Sequence, residues 1–202
     1  MNIIEAAKHW MQEKFESDRT GHDFEHIMRV FRTAKYLQKK EGGDTLIIEL
    51  AALFHDYPDE KLTTDPALAK AELSDWMKKS GLDPDTIKKI MRAVESVSYK
   101  QGENPVLAET LEEKIVQDAD RLDALGAIGI IRAFTYGGAK ARQALDYHLE
   151  NPNTTLAHFF DKLLLLKDKM HTKTAIKAAE KRHSYMLKFL SELQDEKVIK
   201  NK

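Results

Sequence analysis

Thr45-Leu46-Ile47-Ile48-Glu49-Leu50-Ala51-Ala52-Leu53-Phe54-His55-Asp56-Tyr57-Pro58 is the stretch on which the reading of this chain turns. Asp44 or Thr45 caps it, and Leu46, Ile47, Leu50, Ala51 and Phe54 leave it apolar nearly all round, the mark of a helix enclosed by others. Pro58 disfavours helical geometry at the residue before it, so the helix is predicted to end near Asp56. His55 and Asp56 then stand at the tip of a buried element, where polar side chains are costly without partners.

Apolar spacings of three and four continue in both directions, and alternating runs are scarce, which predicts an all-α chain. Upstream, a helix over about 2–15 buries Ile3, Ala7, Trp10, Met11 and Phe15. A second runs from about His22 to Glu41 with Ile27, Val30, Phe31, Ala34 and Leu37 inward, and Gly42-Gly43 stops it. Downstream, Asp65-Pro66 and Asp83-Pro84 each join a cap to a first-turn proline and open helices of about 66–80 and 84–97. After the loop 98–105 comes a helix of about 109–125 with Leu111, Ile115, Ala119 and Leu122 inward, where Gly126 and Gly129 permit close approach to a neighbour. Gly137-Gly138 then sets off helices of about 139–149, 155–170 and 174–194. Repeats and linkers are absent, so a single domain over 1–202 is expected, with a metal-binding core of about 1–134 and a helical extension of about 138–196.

Composition narrows the function classes. The 32 Lys and Arg nearly cancel 33 Asp and Glu, so no strong field draws the protein to nucleic acid or membrane, and an anionic substrate must be met by local charge. Without cysteine there is no thiolate nucleophile or sulfur-ligated metal, which leaves nitrogen and oxygen ligands. Glu5, Lys8 and His9 interrupt the first apolar residues, Arg121, Asp123 and Arg132 interrupt the longest later stretch, and a soluble cytoplasmic protein without signal peptide or membrane span is expected.

With 8 His in 202 residues, chance alone predicts roughly 0.6 His-Asp doublets, yet two occur. His22-Asp23 opens a helix, where Asp is an ordinary cap; His55-Asp56 ends an apolar helix and needs another explanation. His26 lies one turn before Val30 and shares its inward side. Asp120 sits beside Ala119 and Leu122 in a segment that also holds Asp118 and Asp123, whose mutual repulsion calls for a cation. Singly, each residue has an ordinary alternative: His26 bonded to a carbonyl, His55 capping its helix end, Asp120 paired with Arg92 or Arg121. Jointly, one divalent metal resolves every cost, since two imidazoles and two carboxylates suit Mn, which is favoured, and also Fe, Co, Ni, Mg or Zn.

His26, then His55-Asp56, then Asp120 within Asp118-Ala119-Asp120-Arg121-Leu122-Asp123, resembles the H…HD…D signature of the HD superfamily of metal-dependent phosphohydrolases. The likeness spans roughly Ile3 to Phe134 and includes His22-Asp23-Phe24-Glu25-His26-Ile27-Met28-Arg29-Val30, as in small stand-alone bacterial members. It implies an HD-type helical bundle in which His26, His55, Asp56 and Asp120 bind one metal. Branches with a second metal, or with oxygenase chemistry, add histidines between the doublet and the last Asp; from Asp56 to Tyr147 there are none. Asp59-Glu60-Lys61 resembles the acidic pair after the doublet in the guanosine-tetraphosphate hydrolase branch, so Asp59 or Glu60 is expected to orient water or move its proton. Lys61, ahead of Arg19, Lys100 and Arg121, is the candidate for neutralising phosphate. His22, four residues before His26, is placed to contact substrate or support the ligand, and Asp123 to orient a ligand or Arg121, or to pair with a neighbouring helix.

The implied reaction is hydrolysis of ribo- or deoxynucleoside triphosphates to monophosphate and pyrophosphate by a metal-activated water. Alternatives are dephosphorylation of nucleoside 5'-monophosphates, hydrolysis of guanosine tetraphosphate, and a sensor that binds metal or nucleotide without turnover. The partner is thus a phosphorylated small molecule rather than nucleic acid or membrane, and Leu163 to Leu166 forms a packing face or a homodimer face.

Overall fold

Asp44 accepts hydrogen bonds from the backbone N–H groups of Leu46 and Ile47, and the helix it starts, α3 (Thr45–Phe54), is buried from Ile47 onward. The computed structural model that shows this describes residues 2–60, 62–98 and 104–197. Its other helices are α1 (Ile3–Phe15), α2 (Phe24–Glu41), α4 (Pro66–Lys79), α5 (Pro84–Val97), α6 (Leu111–Asp123), α7 (Gly126–Ala139), α8 (Thr155–Asp161) and α9 (Lys173–Glu196), with a 3-10 helix at Leu163–Lys169. No strand occurs among the described residues, so the fold is all-α as expected, and none of their helices is long and apolar enough to cross a membrane.

These elements form two compact units divided inside α6. The first contains the chain up to Asp18 and His22–Asp120. There α3 packs on α1, α2 and α5, and α4 packs on α5. Glu49, the one charged residue within α3, is nearly buried and is matched by Lys35 of α2 at 2.8 Å. Phe54 meets Trp10 and Trp76 edge-on, and those two indoles stack at 5.3 Å, so Trp10 is a half-buried lid over the core rather than wholly inside it. The predicted stripe of α2, Ile27, Val30, Phe31, Ala34 and Leu37, is buried, and the helix ends at Gly42 with φ 92°, a value that favours glycine.

The second unit comprises Arg19–Gly21 and the chain from Arg121 on. In it α7 packs against α8 and α9, and α9 against the 3-10 helix. Phe134, Phe159 and Phe189 form a triangle of rings, with centroids 6.0, 6.1 and 6.5 Å apart. Gly129 of α7 fits so closely over the turn before the helix that a Cβ would come within 2.2 Å of the Ala124 carbonyl oxygen, whereas the neighbouring helix is met at Gly126, where a Cβ would lie 3.2 Å from Arg182 of α9.

Several expected boundaries move. Asp23, not His22, opens α2: its side chain accepts from the N–H of His26 at 2.8 Å, which leaves His22 outside the helix. Gly137 and Gly138 do not separate elements but lie in the last turn of α7. The helix predicted over 139–149 is absent. Its residues are largely exposed and have no face to bury, Ala141 and Leu149 take positive φ (53° and 56°), and Asp146 instead accepts from the N–H groups of His148 and Asn151 in a local turn. The helix predicted over 155–170 is broken at Lys162 (φ −138°, ψ −59°) into α8 and the 3-10 segment. Three residues per turn there align Leu163 with Leu166, and both are buried within the unit while Leu165 is 47% exposed.

Candidate metal centre

His26 occupies the third position of α2, and Asp23's cap on its own N–H fixes the turn that carries it. His55 is the residue after α3, still in helical conformation, and Asp56 follows in a turn closed by the N–H of Tyr57 on Phe54 O and that of Asp59 on Asp56 O. Because α3 is enclosed, its tip delivers both side chains inward: His55 is 4% exposed and Asp56 9%. Asp120 comes from α6, two residues from the fully buried Asp118 and therefore on a different face of the helix. Its carboxylate meets the imidazoles.

The four groups converge. His26 Nε2 lies 3.1 Å from His55 Nε2, 3.2 Å from Asp56 Oδ2 and 3.5 Å from Asp120 Oδ1. His55 Nε2 lies 3.4 Å from Asp56 Oδ1 and 3.8 Å from Asp120 Oδ1. Arg92 and Arg121, the alternative partners for Asp120, are engaged elsewhere: Arg92 with Glu109 and Glu113, Arg121 with Lys169 O and His171.

Hydrogen bonding shows what this cluster suits. His55 Nδ1 is 2.9 Å from the carbonyl oxygen of Ala52, which can only accept, so Nδ1 donates and Nε2 is the nitrogen that faces His26. This is the tautomer and orientation of a metal-ligating histidine held by a backbone carbonyl. Oδ2 of Asp56 is buried and accepts no well-formed hydrogen bond among the described residues, an orphan that a cation would satisfy. Burial works to raise the Asp56 carboxyl pKa, but positive charge on His55 and His26, as they stand without a cation, outweighs it and holds the group well below the usual carboxylate range; a bound cation would supply that charge instead. His26, His55 and Asp56 lie within 4.8 Å of one another through their ligand atoms, close enough to hold a divalent metal, and their N and O donors fit one.

A cleft opens beside His55, lined among others by Asp59, Glu60, Lys70, Glu95, Ser98 and Asn104. Asp59 and Glu60 thus line the same cleft as His55. Lys70 and Glu95 were not singled out from the sequence. One basic residue among 32 carries no signal, and only the packing of α4 on α5 brings Lys70 to Glu95 at 2.6 Å. Asn104 closes the C-terminal end of α5 by donating to the carbonyls of Glu95 and Ser98 at 3.0 and 2.8 Å.

The remaining candidates separate. His22 is part-buried with its ring centroid 5.9 Å from that of His26, so the proximity expected from a shared helix face arises from the chain preceding the helix. Asp123 is 4% exposed and pairs with Arg132 of α7 at 3.3 Å, the contact with a neighbouring helix that was one of its expected roles. Arg19 is exposed and belongs to the second unit. Lys61 and Lys100 lie outside the described residues.

Comparison with known proteins accords with this geometry. The family described as HD domain matches residues 23–125. Bacillus subtilis YpgQ is 38% identical over 191 residues, 94% of this chain and 91% of that protein. The crystal structure of YpgQ in complex with ADP has a TM-score of 0.82 at 36% identity, covering 96% of this chain and 97% of that one. Lin1889 from Listeria innocua has a TM-score of 0.81 at 46% identity over 99% of this chain and 100% of its own. An HD-superfamily hydrolase from Bacillus thuringiensis has a TM-score of 0.78 at 40% identity, covering 96% and 95%. The chain belongs to the HD domain family. It is a metal-dependent phosphohydrolase.

Proposed function

We propose that this protein hydrolyses ribo- or deoxynucleoside triphosphates to the monophosphate and pyrophosphate at a single divalent cation, manganese by preference, held by His26, His55, Asp56 and Asp120. The observation that carries the reading is the convergence of His55 Nε2 on His26 Nε2 at 3.1 Å, between two carboxylates and next to an open cleft. Such a cation supplies Lewis acidity, lowering the pKa of water and polarising a phosphoryl oxygen. A nucleotide substrate is supported by the related B. subtilis protein, which was crystallised with ADP. The cleft of about 240 Å³ is smaller than the roughly 300–1,000 Å³ that encloses a whole small ligand. It suits a polyphosphate better than an entire nucleoside.

The residues of the chain divide the remaining work. With the cation bound, His26 and His55 would each present a lone pair to it. The anionic Asp56 and Asp120 balance positive charge and hold the imidazoles in place. Asp59, one turn beyond Asp56 and lining the cleft, takes the proton from the attacking water, and Glu60 beside it is the second acid able to do so. The water oxygen attacks the α-phosphorus, the bond from that phosphorus to the bridging oxygen breaks, and pyrophosphate leaves. His22, against the edge of His26, contacts the substrate or steadies that ring.

Purified protein incubated with Mn and a panel of ribo- and deoxynucleotides tests this. Release of pyrophosphate with monophosphate is expected. Nucleoside plus orthophosphate from monophosphates would replace the reading with a phosphatase, and metal binding without any turnover would replace it with a sensor.

A further inference from the structure

The cleft beside His55 presents a charge problem. Asp59, Glu60 and Glu95 line it with carboxylates, whereas a substrate carrying phosphates is itself anionic. Among the described lining residues the cation is Lys70, whose ammonium lies 2.6 Å from Glu95. The two side chains are 42% and 33% exposed, so the pair is wetted, and pairs of that kind contribute little stability. They are rooted in firm elements. Lys70 rises from α4 one turn after Pro66, which also lines the cleft, and Glu95 stands near the end of α5, where Asn104 and Gln117 bind the carbonyls of Glu95 and Ser96. An ammonium on a rigid wall, engaged by a carboxylate that it loses at small cost, is available to a stronger anion.

We propose that Lys70 is a phosphate-binding residue of the cleft and that Glu95 competes with the substrate for it. The inference rests on the proposed reaction for its ligand class, a nucleoside polyphosphate. A phosphate group has more charge and more acceptor oxygens than a carboxylate, so it displaces Glu95 from Lys70. Glu95 swings toward solvent and keeps the empty cleft from retaining weaker anions. The pair therefore has opposite effects on affinity: Lys70 raises it and Glu95 lowers it. A strap joining α4 to α5 would instead make both residues equal contributors to stability and irrelevant to ligand.

Isothermal titration of the full chain with ADP, and separately with inorganic pyrophosphate, in the presence of Mg distinguishes the two. Lys70→Met is expected to weaken binding of both probes about tenfold, the loss of one charge-assisted contact that is partly wetted. Glu95→Gln is expected to tighten binding about threefold. Lys78→Met, which breaks an exposed pair with Asp75 on the same helix, is expected to change neither. Circular dichroism melting of the variants checks that all are folded. Equal falls in Tm for the two cleft variants with unchanged affinity overturn the inference, as does weaker binding in both. Because the readout is binding, either result leaves pyrophosphate release by the wild-type protein standing, whereas absence of any probe binding removes both proposals.

Discussion

If the cluster of His26, His55, Asp56 and Asp120 holds a cation, folding and metal binding are linked, and His26→Ala is the substitution that exposes the linkage. His26 is fully buried and lies within 3.5 Å of an atom of each of the other three residues. Without metal its imidazole fills space between α2 and α3 and sets its Nε2 at hydrogen-bond distance, 3.1 Å, from that of His55. Its removal leaves a cavity and takes away that contact, so in chelator the variant is expected to lose about 2–4 kcal/mol. With metal the balance changes, because a ligand that binds only the folded state stabilises it by about 2.7 kcal/mol at a hundred times its Kd. For a chain of this length each kcal/mol moves Tm by roughly 2–4 °C, so Mn is expected to raise the wild-type Tm by about 5–11 °C. Loss of one nitrogen ligand should cut the shift in His26→Ala to within about 2 °C at the same Mn concentration. Differential scanning calorimetry after exhaustive chelation, with and without added Mn, measures both numbers. An equal Mn shift in the variant, or none in the wild type, would refute the assignment of His26 as a ligand.

Three further outcomes are expected. Asp59→Asn should lower turnover by about 10²–10⁴, the range for a lost general base, and Glu60→Gln by far less, with the Mn shift in Tm retained in both; steady-state pyrophosphate release checks this, and the reverse order would move the role to Glu60. Asp23→Ala removes the side chain that caps α2 at the His26 N–H and should cost about 1 kcal/mol in urea unfolding. The Tyr57 hydroxyl, and then the charge of Lys14, hold the Glu72 carboxyl below its ordinary pKa. A depressed carboxyl pKa contributes stability that is present above the unfolded-state value and lost as pH falls through the folded-state value. The acid limb of the melting curve should therefore flatten in Tyr57→Phe, and NMR titration should show Glu72 moving up toward the usual range.

How much was legible in advance follows from the range of the forces involved. Helix type, the cap at Asp83-Pro84 with its helix to Val97, and the stop at Gly42 are set by neighbours within a few residues, so local pattern suffices for them. The tip of α3 was legible for a further reason: an apolar run that ends in His55-Asp56 forces two polar groups into the interior, and that cost demands partners whatever the topology. Residues 139–149 misled because their apolar spacing suggested a helix, yet an amphipathic helix needs a surface to bury against, and this segment has none. Likewise the turn at Lys162 is invisible in a sequence where Leu163 to Leu166 could continue either kind of helix.

By itself, then, the sequence determined the kind of chemistry: an all-helical chain with no sulfur ligand, an inward His26, and two acids and an imidazole that are too costly to bury apart. Only the tertiary structure decided which atoms meet. It turned the Nε2 of His55 toward the cluster by bonding Nδ1 to Ala52, sent Asp120 to the imidazoles, tied Asp123 to Arg132, and brought Lys70 against Glu95 in the cleft. Residue type and spacing record what a side chain can do. Which lone pair it offers, and to whom, depends on contacts between segments far apart in the chain, which no local pattern encodes.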